Sequence, residues 1–261
     1  MILGMNSIAE EVMSRIIVLL LCFNLVACAH QPISWERSKQ AAYDAASHPS
    51  VWGPLLGAGV FAASNLDNRT SKSLSDHTPV FGSRDAADKA STDLQDLLIV
   101  TAGASVLLVP AAEDGNATID RGDRLGIVLG GIALSSGMSE TMKYITQRER
   151  PDHSNNYSFP SGHATAAFTS ATFASENFHL AFGDDARAGW ADAGLYTAAS
   201  LTAWARVEAQ KHYASDVMVG AALGNFMGRF LDELLVKNSS NVVLSSYFDG
   251  NTLAVGIQHK F

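Results

Sequence analysis

Three short segments of this chain carry residues that could hold a phosphate and attack it. Lys143, Arg150 and Pro151 form K-x6-R-P; Pro160, Ser161, Gly162 and His163 form P-S-G-H; Arg206, His212 and Asp216 form R-x5-H-x3-D. Three cations can grip phosphate oxygens: the planar guanidinium forks of Arg150 and Arg206, and Lys143 as a point charge. Two histidines and a carboxylate offer a nucleophile, a proton donor and an orienting group. The Ser-Gly pair suits a helix entrance whose backbone N–H groups face an anion. Alone, each segment has a plainer reading: a solvated basic patch, an ordinary N-cap, a surface histidine. Together, in this order, they point to phosphoryl transfer that needs no metal.

Elements must position these groups. A run ending near Gln147, with Pro151 forcing an exit, places Lys143 and Arg150 on one face of one helix, two turns apart. Ser161 caps the next helix, to about Asn177. Another helix covers about 185–207, with Arg206 at its end. The last starts at Ser215, so Asp216 lies in its first turn and can accept from one imidazole nitrogen of His212, freeing the other to attack. Upstream, helices are expected at 35–46, 51–66, 91–109 (capped by Ser91, stopped by Pro110) and from Asp120 onward. Residues 67–90 read as a long loop. Small residues such as Gly131, Ala164, Ala167, Ala221 and Gly224 suit close helix packing. The longest apolar stretch, Leu97 to Ala112, would span about 24 Å against ~30 Å of hydrocarbon, so these read as buried core helices of a soluble bundle. Val242–Tyr247 and Thr252–Lys260, separated by Asp249-Gly250-Asn251, predict a C-terminal hairpin. The expected class is all-α: a bundle of about six core helices with a short C-terminal β-hairpin.

The motifs resemble those of the type 2 phosphatidic acid phosphatase superfamily, which includes class A non-specific acid phosphatases and vanadium-dependent haloperoxidases. Its pattern is K-x6-R-P, P-S-G-H and S-R-x5-H-x3-D. This chain departs at one fixed position, Ala205 in place of serine, which removes one supporting hydrogen bond. The resemblance covers about 50–237, and the short link from Pro151 to Pro160 suggests a small or absent lid. It implies that His212 attacks phosphorus and forms a phosphohistidine, with Asp216 orienting it. His163 would protonate the leaving oxygen and then activate water. Lys143, Arg150, Arg206 and the backbone at Ser161 and Gly162 would stabilise the equatorial oxygens. No metal or other cofactor is implied. The substrate would be a phosphomonoester or pyrophosphate of a membrane lipid, or else a small soluble phosphomonoester; a haloperoxidase is the remoter alternative.

The rest of the chain bounds where this happens. Its 261 residues are 47% hydrophobic with a net charge of -8, and its mean hydropathy is +0.08. That acidic balance speaks against a nucleic-acid partner. Arg15 precedes a short apolar run ending Leu25-Val26-Ala27-Cys28, and Met13 offers an alternative start. The run reads as a signal peptide over 1–27, with Cys28 acylated as in a bacterial lipoprotein; an ordinary secretory signal cut nearby is the other reading. Cys22 and Cys28 are the two cysteines, so a domain beginning after them has neither a disulfide nor a thiolate metal site. The expected organisation is a tether and short helix at 28–49, a phosphatase domain at 50–237 and a hairpin at 238–261. An acyl anchor would hold it on the periplasmic side of the cell envelope. Ala29, rather than aspartate, after Cys28 favours the outer membrane.

Overall fold

The structure, a computed structural model, describes residues 33–64, 66–110 and 120–236, with the backbone of 242–248 and 253–259. The signal segment, Cys28 and the turn at 249–251 lie outside the described residues. Among those described, eight α-helices form an all-α bundle: α1 (Trp35–Ser47), α2 (Pro49–Ala63), α3 (Leu66–His77), α4 (Arg84–Ser105), α5 (Arg121–Thr146), α6 (Gly162–Phe182), α7 (Ala186–Glu208) and α8 (Ala214–Leu235). Short polar side chains start most of them, as their sequences dictate. Asp120 accepts from the Gly122 N–H at 2.7 Å, and Asp185 accepts from the Arg187 N–H at 2.7 Å.

Helix α6 is the axis. Small residues cover nearly all its faces, and it packs against α4, α5, α7 and α8. Gly220 and Gly224 on α8 permit the closest approach. A Cβ at Gly224 would lie 2.5 Å from the Thr165 carbonyl oxygen, and one at Gly220 would lie 2.6 Å from that of Ser161. The α6 entrance is thereby held against the first turns of α8. Helices α1 and α2 cover the other side of α8. The main core gathers Leu98, Val106, Ile127, Phe173, Met227 and Leu231. Towards the opposite ends of these helices, the fully buried Arg124 pairs with Asp232 and donates to Asn177 Oδ1 at 2.6 Å. Asn177 donates in turn to Ser105 Oγ at 2.8 Å. This chain of polar groups ties four helices together without leaving Arg124's charge unpaired.

Three expectations require correction. Residues 67–90 are not a long loop. Helix α3 occupies most of the segment, and Ser83, accepting from the Ala86 N–H at 3.1 Å, opens α4 eight residues ahead of Ser91. Helix α3 buries Asp67, Ser71 and Ser75, a polar stripe at helical spacing that hydrophobic periodicity does not register. Second, α5 ends at Thr146, and Gln147 takes a left-handed conformation with φ of 49°. Arg150 therefore lies beyond the helix that carries Lys143, not on its face. Third, the apolar stretches of α4 and α5 are not buried cores. They belong to helical segments of 25 and 26 residues, and only 28% and 33% of their most apolar windows are buried. Leu97, Val100, Leu107, Leu125 and Leu129 are exposed. Beyond α8, Val242–Phe248 and Leu253–His259 run as antiparallel strands with Val242 opposite His259.

Candidate active site

The site lies at the α6 entrance, where the end of α5, the start of α8, the end of α7 and the first half of α4 converge. Ser161 is the N-cap of α6; its hydroxyl faces the Ala164 N–H at 3.4 Å, and its N–H donates to the Asp216 carbonyl oxygen at 3.1 Å. Gly162 follows, where a side chain would crowd two flexible neighbours. A Cβ would meet Lys143 Nζ at 3.1 Å and Glu140 Oε1 at 3.4 Å. The absence of a side chain at Gly162 thus brings a lysine ammonium up to the first backbone turn of α6.

His212 is 1% exposed. Its Nδ1 donates to the Ser158 backbone carbonyl at 2.5 Å, and Asp216 Oδ2 lies 4.0 Å away. The sequence expectation that Asp216 itself accepts from the imidazole is therefore corrected. The carbonyl fixes the tautomer and leaves the Nε2 lone pair available. Asp216 is one step removed. It accepts from Ser158 Oγ at 2.6 Å, from the Tyr213 N–H at 2.8 Å and from Arg148 Nη1 at 2.5 Å. Arg148 also donates to Asp67 at 2.8 Å and stacks 4.3 Å over the Tyr213 ring. Asp67 accepts from the Ser215 N–H at 2.9 Å. Helix α3 thereby buttresses the start of α8.

The link between Pro151 and Pro160 forms a clamp. The Ser158 N–H donates to the Arg148 carbonyl, and the Asp152 N–H to that of Gln210. Lys211 reaches Asp152 at 2.9 Å. The segment ahead of His212 is thus tied to the link that presents the Ser158 carbonyl. His153 is exposed and pairs with Glu149.

Lys143, Arg150 and Arg206 converge on both histidines, and the charges of all three press on each of them. Burial first, then these cations, lowers the His163 pKa to about 4. The same causes hold that of His212 well below the usual histidine range. Both are neutral at pH 7. Burial raises Asp216 to about 6, with Arg148, Ser158 and Tyr213 drawing it back. Arg206, 4% exposed, donates through Nη1 to Asp88 and to Ser91 Oγ. The buried Nε groups of Arg150 and Arg206 have no partner among the described residues. Buried donors left unpaired are costly, and an anion's oxygens would satisfy these two.

Sequence reasoning missed Asp67, Asp88, Ser91, Thr92, Glu140 and Ser158. Asp88, Ser91 and Thr92 share one face of α4, and Thr92 Oγ1 lies 3.3 Å from His163 Nε2. That i, i+3, i+4 spacing was readable, but its partners lie more than 70 residues away. Ser158 acts on His212 through its carbonyl, which no side-chain pattern reveals. Ala205 is fully buried.

The bundle gathers three cations around two neutral histidines at one buried site. Residues 124–239 match the family model described as PAP2 superfamily, and over that segment the chain is similar to the superfamily. Over 98 residues it is 43% identical to the lipid A 1-phosphatase of Porphyromonas gingivalis, an alignment that takes in 38% of this chain and 21% of that protein. The chain thus spans about a fifth of the curated relative's length. A crystal structure of a transmembrane PAP2-type phosphatidylglycerolphosphate phosphatase from Bacillus subtilis superposes with a TM-score of 0.53. That match covers 70% of this chain and 92% of that one at 18% identity, so what it shares is the fold.

Proposed function

We propose that this chain is a phosphoric monoester hydrolase acting on phosphorylated lipids, with no metal in its reaction and a phosphohistidine on His212. The observation that carries the proposal is the His212 environment. Its Nδ1–H is committed to the Ser158 carbonyl, so Nε2 holds a lone pair beside three cations, two of whose Nε groups have no partner among the described residues. In the first step His212 Nε2 bonds to phosphorus as the ester P–O bond breaks. His163 delivers a proton to the leaving oxygen. A bound phosphoryl dianion raises the His163 pKa by its negative charge and so supplies that proton. In the second step His163 takes a proton from water, the water oxygen bonds to phosphorus, and the P–N bond breaks to release phosphate. Lys143, Arg150, Arg206 and the backbone N–H groups at Ser161 and Gly162 stabilise the equatorial oxygens throughout.

The exposed apolar faces of α4 and α5, each in a segment about 38 Å long at 1.5 Å per residue, support work against a membrane. In this reading acylated Cys28 tethers the domain on the periplasmic side of the envelope, the outer membrane favoured. The test is phosphate release by the detergent-purified full chain in EDTA. Substrates are phosphatidate, phosphatidylglycerol phosphate, a lipid A phosphate, undecaprenyl pyrophosphate and p-nitrophenyl phosphate, with His212→Ala as control. Release that disappears with His212 and favours a lipid is expected. Preference for p-nitrophenyl phosphate would make it a general acid phosphatase, and no release from any substrate would overturn the proposal.

A further inference from the structure

Two of the three phosphate-binding cations are already occupied. Lys143 Nζ is bound by Glu140 Oε1 at 2.6 Å, and Glu140 reaches the α6 entrance beside Gly162. Arg206 Nη1 is bound by Asp88. These carboxylates differ from those buried behind His212. The side chains of Glu140 and Asp88 are 48% and 44% exposed, against 7% for Asp67 and 0% for Asp216. A half-exposed carboxylate can swing into water with little loss of hydration, whereas a buried one cannot.

We propose that Asp88 and Glu140 are specificity-determining residues: resident counter-anions that an incoming phosphoryl group displaces from Arg206 and Lys143. The inference rests on the anion-site reading above. Three cations facing two carboxylates leave a modest net positive charge. One phosphoryl group can exchange with the carboxylates, while a second phosphate meets them as like charges. The device keeps inorganic phosphate from lingering after hydrolysis and sets the site against diphosphates. Asp88 precedes the 124–239 segment shared with the superfamily, so this half of the device is supplied by α4.

The experiment is isothermal titration of the full chain with inorganic phosphate and with pyrophosphate. The proteins are wild type, Asp88→Asn, Glu140→Gln, the double variant and Arg206→Ala. Asparagine and glutamine keep an acceptor oxygen for the guanidinium and ammonium, so the cations stay supported. Each single variant is expected to bind phosphate about tenfold more tightly, because one partly screened charge is removed. The gain should be larger for pyrophosphate and should shrink in high salt. Damage to the site would weaken binding, so tightening cannot come from a merely structural role. Binding that needs Arg206 but is unchanged or weaker in both carboxylate variants overturns the proposal alone. Absence of phosphate binding in every protein overturns it together with the anion-site reading.

Discussion

Asparagine in place of Asp216 is expected to slow turnover by about thirtyfold. Where a carboxylate alone sets the tautomer of a catalytic histidine, its amide costs about 10⁴ in rate. Here the Ser158 carbonyl holds Nδ1–H, and Asp216→Asn leaves that bond in place. What is lost is a negative charge 4.0 Å from the ring. At an effective dielectric of about 20, a unit charge at that distance is worth ~4 kcal/mol to an imidazolium or phosphohistidine. Arg148 at 2.5 Å offsets roughly half of it, leaving ~2 kcal/mol, or about thirtyfold in rate. The assay is kcat/KM for phosphate release by wild type, Asp216→Asn and Ser158→Ala. Each value is normalised to folded protein by circular dichroism, because the asparagine also loses a charge-assisted bond from Arg148. Ser158→Ala removes the hydroxyl bond to Asp216 and keeps the carbonyl, so its effect should be no larger. A 10⁴-fold loss in Asp216→Asn would refute the reasoning and mean that the carboxylate closes directly onto His212 during turnover.

Arg148→Ala removes the shared partner of two buried carboxylates, Asp67 and Asp216. Urea unfolding should show a loss of about 3 kcal/mol, a value already reduced for the guanidinium's 32% exposure; a loss below about 1 kcal/mol would contradict the buttress. Stability should also fall on acidification. The lowered pKa values of His163 and His212 mean that the unfolded chain binds two more protons below its histidine pKa of ~6.5, while Asp216, raised to about 6, returns one to the folded state. These groups together make stability fall as pH drops below about 6.5, measurable as a falling urea midpoint; a flat profile would contradict it. Gly224→Ala, whose Cβ would lie 2.5 Å from the Thr165 oxygen, should cost at least about 2 kcal/mol. Gly126→Ala in α5, with nothing within 4 Å, should be neutral or stabilising by about 0.5–1 kcal/mol; thermal melts separate the two.

The parts legible in the sequence were those set by local chemistry. Capping side chains fixed the starts of α5, α6 and α7 closely, and the three motifs named the cations and histidines that converge. Three signals failed for physical reasons. Helix α3 presents serines and an aspartate to the protein instead of apolar groups, so its periodicity is invisible to a hydrophobic template. Arg150 left the helix because Gln147 turned left-handed three residues before it, where proline was expected to be the only punctuation. Asp88 and Ser158 meet Arg206 and His212 across more than 50 residues of chain, and no spacing rule spans such a closure.

Two ion pairs of this site join distant parts of the chain. Asp67 and Asp88, from α3 and α4, face Arg148 and Arg206, from the segment after α5. During synthesis the first half emerges with its acids unmatched, and the second completes the charge pairing only when its own helices form. A chain cut between α4 and α5 should therefore yield two fragments that reassociate, faster at low ionic strength, and regain function only as a pair.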